Sequence, residues 1–229
     1  MLAKKKSMGF SLIEILVVAV VVAMLIGLLL PAIGRARRAA QQARGLSNVR
    51  QWVLAFTMYA DDHNGRFPTE GQTSGGVDLD DGRAWFNALP PYVNETPLNQ
   101  HEDVYGKMPR PGDNSIFMCP ALRLSDLHAS PSDGEAVFAY AYNLWIEHDG
   151  EQPLRWQNIE HYASRFAVIG ERGPTDDNPA STRFANMDER HIAYRHRAES
   201  ETLIGFADGH ARAFIEEDVG TIVWNPGEQ

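Results

Sequence analysis

A run of twenty residues without a charged side chain, at positions 15–34, is the feature that most constrains how this chain folds. At a rise of about 1.5 Å per residue, a helix of that length covers about 30 Å, the thickness of the hydrocarbon core of a bilayer. The apolar region of a secretory signal peptide is usually shorter, about 7 to 15 residues, and a small-residue cleavage site follows it. The run therefore predicts a membrane-spanning helix. A plain signal anchor is the simplest such helix, and the residues that precede the run argue for more than that.

The charges of the chain are divided unevenly between its two parts. Residues 1–50 carry eight basic residues and one acid, a net charge of +7, whereas residues 51–229 carry 13 basic and 29 acidic residues, a net charge of −16. Phosphate binding requires clustered Lys and Arg, so the acidic body argues against nucleic acid as a partner. Cys119 is the only cysteine. A disulfide framework and a zinc site with several Cys ligands are therefore excluded.

The one acid in the N-terminal part, Glu14, lies at the end of the apolar run that enters the membrane. An unpaired charge there is costly, so such a residue indicates a function and requires a partner. If the chain is cut between Gly9 and Phe10, the new α-amino group of Phe10 is a cation four residues from Glu14. In a bundle of identical helices, Glu14 of one subunit would neutralise the Phe10 amine of the next.

The residues Lys4-Lys5-Lys6 and Gly9-Phe10-Ser11-Leu12-Ile13-Glu14 resemble the prepilin signal of type IV pilins and type II secretion pseudopilins. Pro31 lies where these families often carry a helix-kinking proline. The resemblance implies cleavage after Gly9 by a prepilin peptidase, N-methylation of Phe10 by the associated methyltransferase, and assembly with other pilin or pseudopilin subunits in contact with inner-membrane lipid. It also assigns residues 1–9 to a leader peptide and residues 10–34 to the membrane part of the helix.

The orientation of the chain in the membrane follows from the motif and not from charge. Arg35, Arg37, Arg38 and Arg44 match the positive charge of the leader, so the positive-inside rule does not decide between the two orientations. The leader must face its peptidase in the cytoplasm. The chain is therefore expected to be a single-pass protein of the bacterial inner membrane, with its body in the periplasm or outside the cell.

The apolar residues that follow Pro31 recur at steps of three and four, which predicts that an amphipathic helix over residues 35–62 continues the membrane helix. These residues are Ala36, Ala39, Ala43, Leu46, Val49, Val53, Phe56 and Ala60. The helix is expected to end near Asp61-Asp62-His63-Asn64-Gly65, since Asn and Gly are typical of helix ends and Pro68 prevents its resumption.

Residues 63–229 are expected to form an extracytoplasmic globular body with short strands at 116–119, 137–142, 165–170, 202–207 and 211–215, and a short helix within 80–89. The Asp208-Gly209 pair predicts a type I′ hairpin between the last two strands. The fold class is thus α+β, with one long N-terminal helix packed on a small antiparallel β-sheet, and this is also the pilin-like architecture.

The C-terminal half carries a second resemblance. Phe117-Met118-Cys119-Pro120, Tyr140-Ala141-Tyr142-Asn143, Ile169-Gly170-Glu171 and the segment from Phe206 to Ala211 look like the body of a group of bacterial prepilin-type proteins. That group has a His, nine residues and then Asp-Gly. Here His196 is the nearest match, but eleven residues separate it from Asp208.

Two sets of residues are candidate metal ligands. His196, Asp208 and His210, with His191 and Glu171 near them, would suit a divalent cation, although an Asp-Gly turn explains Asp208 without chemistry. Asp61, Asp62 and Asn64 offer oxygen ligands, and the pseudopilin resemblance suggests calcium. A solvated helix end accounts for the same residues. The loop of Asp176, Asp177 and Asn178 is a further oxygen-rich candidate.

The sequence contains no glycine-rich phosphate loop, no Gly-x-Ser-x-Gly elbow and no nucleophile beside a recognisable base. Cys119 is interpreted as a buried packing thiol.

The chain is therefore predicted to be a structural subunit and not an enzyme, assembling into a type IV pilus or a type II secretion pseudopilus, with calcium as the only cofactor considered. The alternative is a membrane-anchored extracytoplasmic metal- or ligand-binding protein, or an enzyme, that uses a His/Asp face. A minor, tip-located or regulatory pseudopilin is a third hypothesis.

Overall fold

A computed structural model of the chain describes residues 11–73, 76–127, 131, 134–147, 154–173, 186–197 and 199–228. The chain divides into two compact units, residues 1–40 and residues 41–229, and each is described by itself. Helix α1 (Leu12–Asp62) contributes to both units. Gly9 and Phe10, the residues of the predicted cleavage site, lie outside the described part of the chain, as does the candidate loop at residues 176–178.

The described part of the first unit is the apolar portion of α1. Its large aliphatic side chains are exposed from Leu12 through Ile33. Among the described residues, α1 is the one helix that is long and apolar enough to cross a membrane, and none of its most apolar window is buried in the protein. Pro31 lies inside the helix. The predicted apolar helix is confirmed.

In the second unit, α1 buries one face against the body. Val49, Trp52, Val53, Phe56 and Ala60 are all at most 4% exposed, and their spacing of three and four residues places them on one side of the helix. This pattern agrees with the predicted amphipathic segment from Leu46 onward, whereas Ala36, Ala39 and Ala43 of the predicted apolar face are exposed.

The end of α1 is also as predicted. Asn64 and Gly65 have positive φ, and the Gly65 amide donates a hydrogen bond of 2.7 Å to the Ala60 carbonyl. That bond is the long-range bond of a Schellman C-cap, in which the left-handed residue follows the helix directly. The helix ends at Asp62.

The sheet of the body has five strands: β3 (Tyr140–Asn143), β4 (Ala167–Glu171), β5 (Asn186–Met187), β6 (Glu201–Phe206) and β7 (Ala211–Ile215). Their order is β5-β3-β4-β6-β7. Pairs β3–β4, β4–β6 and β6–β7 are antiparallel, whereas β5 pairs with β3 in parallel. The α+β class is confirmed, but the sheet is mixed and the expectation of a purely antiparallel sheet is wrong. The parallel strand comes from β5, which is two residues long and was not predicted.

Both faces of this sheet are covered. Leu203 of β6 belongs to the large core that also contains Val49 and Phe56 of α1, whereas its neighbour Ile204 packs in a second core with Phe214 and Trp224. Successive residues of a strand point to opposite faces, so β6 is buried along its whole length. Strand β6 therefore lies between the α1 layer and the C-terminal segment of the chain.

The predicted strand at 116–119 is wrong, because helix side chains take the place of a partner strand. The Trp52 indole donates to the Ile116 carbonyl at 3.0 Å, and the Asn48 amide donates to the Met118 carbonyl at 3.1 Å. Residues 116–119 are buried and apolar, yet their backbone runs through turns and a bend. Because side chains of α1 already donate hydrogen bonds to these carbonyls, the segment does not need a partner strand to satisfy them.

The hairpin between β6 and β7 differs from the predicted type I′ turn. In that turn both central residues have positive φ, but Gly209 has φ +98° and Asp208 is not among the residues with positive φ. The Gly209 amide donates to the Phe206 carbonyl at 3.0 Å and the Phe206 amide donates to the His210 carbonyl at 2.9 Å. The connection is therefore a three-residue loop with a glycine bulge.

The remaining elements are short. A small hairpin joins β1 (Gln72–Thr73) to β2 (Gly76–Val77), and the helix expected within 80–89 is reduced to α2 (Trp85–Ala88). The other short helices are α3 (His101–Tyr105), α4 (Trp156–Ile159) and α5 (Glu216–Val219). Turns of 3₁₀ helix occur at Pro90–Val93, Leu98–Gln100, Leu124–Asp126, Leu144–Ile146, Glu160–Tyr162, Glu189–His191 and Pro226–Glu228.

Candidate functional site

The N-terminal end of α1 is built by Ser11 and Glu14. The Ser11 amide donates a hydrogen bond of 2.8 Å to Glu14 Oε2, and the Ser11 hydroxyl accepts a bond of 3.3 Å from the Ile13 amide. This reciprocal arrangement is a capping box, in which the N-cap and N3 side chains satisfy main-chain amides at the helix start. Glu14 therefore has a role in its own chain that the sequence analysis did not identify, although the Ser-x-x-Glu signal was present.

The part of α1 that follows Glu14 presents an apolar surface. From residue 15 to residue 34 the side chains are uncharged, and the large aliphatic ones between Ile15 and Ile33 are about half exposed or more. A contiguous apolar surface of this extent on a soluble protein indicates a binding surface for lipid or for another protein.

A second group of chemically capable side chains lies deep inside the body. Glu171, at the end of β4, and His196 are buried, and His196 Nε2 lies 3.0 Å from Glu171 Oε1. The other carboxylate oxygen, Oε2, accepts a hydrogen bond of 3.0 Å from the Leu203 amide of β6. His196 is positioned by its own backbone, which pairs with Glu201 at the start of β6.

Cys119 completes this group. Its Sγ lies 3.6 Å from His196 Nε2 and accepts a hydrogen bond of 3.4 Å from the Ala121 amide. Burial raises the pKa of the Cys119 thiol, and the negative charge of Glu171 raises the pKa further. Sequence analysis identified Cys119 as a buried thiol, and the structure confirms the burial. It did not place the thiol beside His196, since 77 positions separate the two residues.

A buried hydroxyl adjoins the thiol and the carboxylate. Tyr140 is fully buried, and burial together with the charges of Cys119 and Glu171 raises the pKa of Tyr140. Its hydroxyl makes no hydrogen bond of full geometry, and the Asn48 side chain on α1 is the polar group beside it. The interior thus brings a thiol, an imidazole and a carboxylate together, and their charges act on the buried phenol of Tyr140.

Arginines border this interior on one side. Arg195 donates to the Ala139 carbonyl at 3.4 Å and to the Arg172 carbonyl, and its charge lowers the pKa of Cys119 against the stronger effect of burial. Burial lowers the pKa of Arg172 to about 10, while the charge of Asp188 opposes that shift.

The histidines and acids that the sequence suggested as one metal face are placed in separate pairs. His210 Nδ1 lies 2.5 Å from Asp208 Oδ1 in the exposed β6–β7 loop, and the His210 ring stacks on Phe206. His191 Nδ1 lies 2.6 Å from Asp188 Oδ1. In the part of the chain that the structure describes, ligand atoms of three such residues gather within 4.8 Å at Cys119, Glu171 and His196 alone. His196 and Asp208 therefore do not belong to one cluster of three ligand residues.

Asp61 and Asp62, the candidate calcium ligands, lie exposed in the last turn of α1. Asp62 Oδ2 accepts a hydrogen bond of 3.1 Å from the Tyr92 hydroxyl. Asp61 borders a cavity of about 370 Å³ that is otherwise lined by Thr57, Ala60, Gly65 and Trp156. No third His, Cys, Asp or Glu among the described residues joins them in a group whose ligand atoms lie within 4.8 Å of one another.

Comparison with known protein families finds no family model that matches this chain. Comparisons with curated proteins and with solved structures likewise find no match.

Proposed function

We propose that the chain is a structural prepilin-type subunit: it is cleaved after Gly9, N-methylated at Phe10, and assembled through α1 into a type IV pilus or a type II secretion pseudopilus. The observation that carries the proposal is the order of features at the N-terminus. A basic leader, a Gly-Phe junction, a single acid at Glu14 and an uninterrupted apolar helix follow one another in register.

The exposed apolar surface of α1 supports assembly. Burying apolar surface stabilises by about 25 cal/mol per Å², so a helix face of this extent has a strong tendency to be covered. A bilayer covers it before assembly, and the helices of neighbouring subunits cover it afterwards. The same segment thus serves as an anchor and as an assembly surface, with the inner membrane as the site of processing.

Glu14 supports a specific pairing within that assembly. Its carboxylate is exposed and, among the described residues, accepts a hydrogen bond from the Ser11 main-chain amide, so it keeps further acceptor capacity. Cleavage after Gly9 creates an α-amino cation at Phe10. Pairing of that cation with Glu14 of a neighbour removes the cost of an isolated charge in an apolar environment.

A structural role is supported over a catalytic one by the burial of the reactive groups. Cys119, Glu171 and His196 are at most 2% exposed, so the described residues around them cover the thiol and the imidazole in this conformation. The pairs at Asp208–His210 and Asp188–His191 are explained by local turns. The body is therefore proposed to shape the subunit and present its acidic surface.

Coexpression with a prepilin peptidase tests the proposal. The wild-type chain should lose nine residues in a peptidase-dependent manner, whereas Gly9→Val should remain uncleaved because a side chain obstructs approach to that peptide bond. Gly27→Ala, inside the same apolar helix and with no heavy atom within 4 Å of the added Cβ, is the matched control and should be cleaved like the wild type. Equal processing of the Gly9→Val variant, or no processing of the wild type by an active peptidase, would contradict the proposal.

A further inference from the structure

We infer that Cys119, Glu171 and His196 form a zinc site inside the body, in which Cys119 Sγ, His196 Nε2 and Glu171 Oε1 bind one Zn²⁺ ion. The inference does not rest on prepilin processing, since all three residues lie in the second unit of the chain. Of the residues that the sequence suggested for one metal face, this site keeps His196 and Glu171, and it has Cys119 in place of Asp208 and His210.

The distances between the three ligand atoms suit a tetrahedral ion. With zinc bonds of about 2.0 Å to nitrogen and oxygen and about 2.3 Å to sulfur, tetrahedral neighbours lie about 3.3 Å (N to O) and 3.5 Å (N to S) apart. The observed separations are 3.0 Å from His196 Nε2 to Glu171 Oε1 and 3.6 Å from His196 Nε2 to Cys119 Sγ. All three atoms lie within 4.8 Å of one another. Shifts of a few tenths of an ångström would bring the nitrogen and oxygen to the metal-bound spacing.

The imidazole nitrogen is placed to share a cation with both neighbours. His196 Nε2 faces the carboxylate and the thiol, and all three ligand atoms lie within 4.8 Å of one another. A neutral imidazole with its lone pair toward a metal suits all three partners. Thiolate, carboxylate and neutral imidazole together carry two negative charges, which Zn²⁺ balances inside the apolar core.

Hydrogen bonds from the main chain hold the ligands in place. The Leu203 amide bonds Glu171 Oε2, which leaves Oε1 directed at His196, and the Ala121 amide bonds the Cys119 sulfur. Outer hydrogen bonds of this kind orient metal ligands and tune their affinity. A water molecule would take the fourth position of the tetrahedron.

Binding would link three distant parts of the chain beneath α1. Cys119 belongs to the segment that α1 holds through Asn48 and Trp52, Glu171 ends β4, and His196 leads into β6. On α1, Gly45 lies directly over the site, since a Cβ there would be 3.3 Å from His196 Cε1. The ion would take its ligands in deprotonated form, with the Cys119 proton released to solvent on binding.

The test uses the full-length chain in detergent, freed of metal by a chelator and then titrated with Co²⁺ and Zn²⁺. Because Cys119 is the only cysteine, a thiolate-to-cobalt charge-transfer band can arise from this site alone. We expect that band, tetrahedral cobalt absorption in the visible region, displacement of both by zinc, and one equivalent of zinc per chain after gel filtration. A folded wild-type chain that shows no thiolate band and retains no zinc would overturn the inference.

Variants give a second measurement. Cys119→Ser should lose the charge-transfer band, and both it and His196→Asn should bind zinc at least about ten- to a hundredfold more weakly, since loss of a ligand should cost no less than loss of an outer hydrogen bond. His210→Asn, which changes an exposed histidine in the β6–β7 loop, should bind zinc like the wild type. Circular dichroism establishes that each variant is folded. If Cys119→Ser does not fold, the presence or absence of the thiolate-to-cobalt band in the wild-type spectrum decides whether Cys119 binds the metal. Unchanged zinc affinity in a folded Cys119→Ser chain would place the metal elsewhere.

Discussion

The main-chain amide of Ser11 donates its hydrogen bond to the carboxylate of Glu14, at 2.8 Å. Glu14 therefore caps its own helix, and under the proposed function it also supplies a charge for pairing with a neighbouring subunit. The two roles require different properties of the side chain. A cap requires an oxygen acceptor at this position, which Gln also provides, whereas pairing with the Phe10 amine requires a negative charge.

The first prediction separates these roles by comparing Glu14→Gln with Glu14→Ala. Both variants should be cleaved after Gly9, and both should assemble poorly, because neither carries the charge. Glu14→Gln should retain the capping bond and with it the helix start. Assembly is measured as the fraction of subunit recovered in sheared or sedimented filaments, relative to the wild type in the same cells. If Glu14→Gln assembles as well as the wild type, the carboxylate acts as a cap and the pairing hypothesis is wrong.

The second prediction concerns the contact of α1 with the sheet at Gly205. A Cβ at this position of β6 would lie 2.3 Å from Val53 Cγ2 and 2.9 Å from Val49 Cγ1. Gly205→Ala should therefore lower the free energy of unfolding by about 1 to 3 kcal/mol, as expected for overpacking of a tight interior. Thermal and denaturant unfolding of the full chain in detergent measure the change.

Gly220→Ala is the matched control for that substitution. Gly220 has no heavy atom within 4 Å of an added Cβ, and its φ of −62° is ordinary for alanine. The free energy of unfolding of Gly220→Ala should differ from that of the wild type by no more than about 0.5 kcal/mol. Equal stability of the two variants would show that α1 does not press on β6 as described.

The third prediction concerns the pH dependence of stability at Asp188. Burial alone would raise the pKa of this carboxyl, but hydrogen bonds from His191 and Arg190 outweigh it and hold the pKa well below its usual range. Arg172 contributes a further nearby positive charge. Because the folded pKa lies below the unfolded value of about 3.9, the ionised carboxylate stabilises the fold above that pH, and this stabilisation is lost as the pH falls toward the folded pKa.

Asp188→Asn should accordingly cost about 1 to 3 kcal/mol at pH 7, the usual effect of losing hydrogen bonds to a buried charged group. The difference between wild type and variant should narrow progressively below about pH 4. Denaturant unfolding of both proteins from pH 3 to pH 7 measures this difference in the free energy of unfolding. Asp208→Asn, in the exposed β6–β7 loop, is the comparison and should show a smaller difference. A constant difference across the whole range for Asp188→Asn would contradict the assigned cause.

Local patterns were sufficient to predict α1 and most of the sheet. The three- and four-residue spacing and the Asn64-Gly65 stop depend on neighbouring residues only, and the structure has the helix, its buried face from Val49 to Ala60 and its end at Asp62. Strands β3, β4, β6 and β7 are found within three residues of their predicted bounds. The segment 116–119 has the composition of a strand, but Trp52 and Asn48 of α1 satisfy its backbone. Such long-range hydrogen bonds leave no signal in a local pattern.

The interior site could be predicted only in part for the same reason. Glu171 was expected near the histidines because it ends a strand beside them. Cys119 reaches His196 through a turn-rich segment whose path depends on α1, so the sequence indicated its burial but not its neighbours. Asp208 and His210 flank Gly209 in the turn that the Asp-Gly pair predicts, yet the bulged loop directs both side chains to the surface.

The measurement that tests the central claim most directly is the intact mass of the protein purified from the membranes of cells with an active prepilin peptidase. We predict a chain that begins at N-methylated Phe10 and lacks residues 1–9, with fragmentation placing the methyl group on the α-amine. A chain that retains its first nine residues in those cells, or that begins at any residue other than Phe10, would contradict the account.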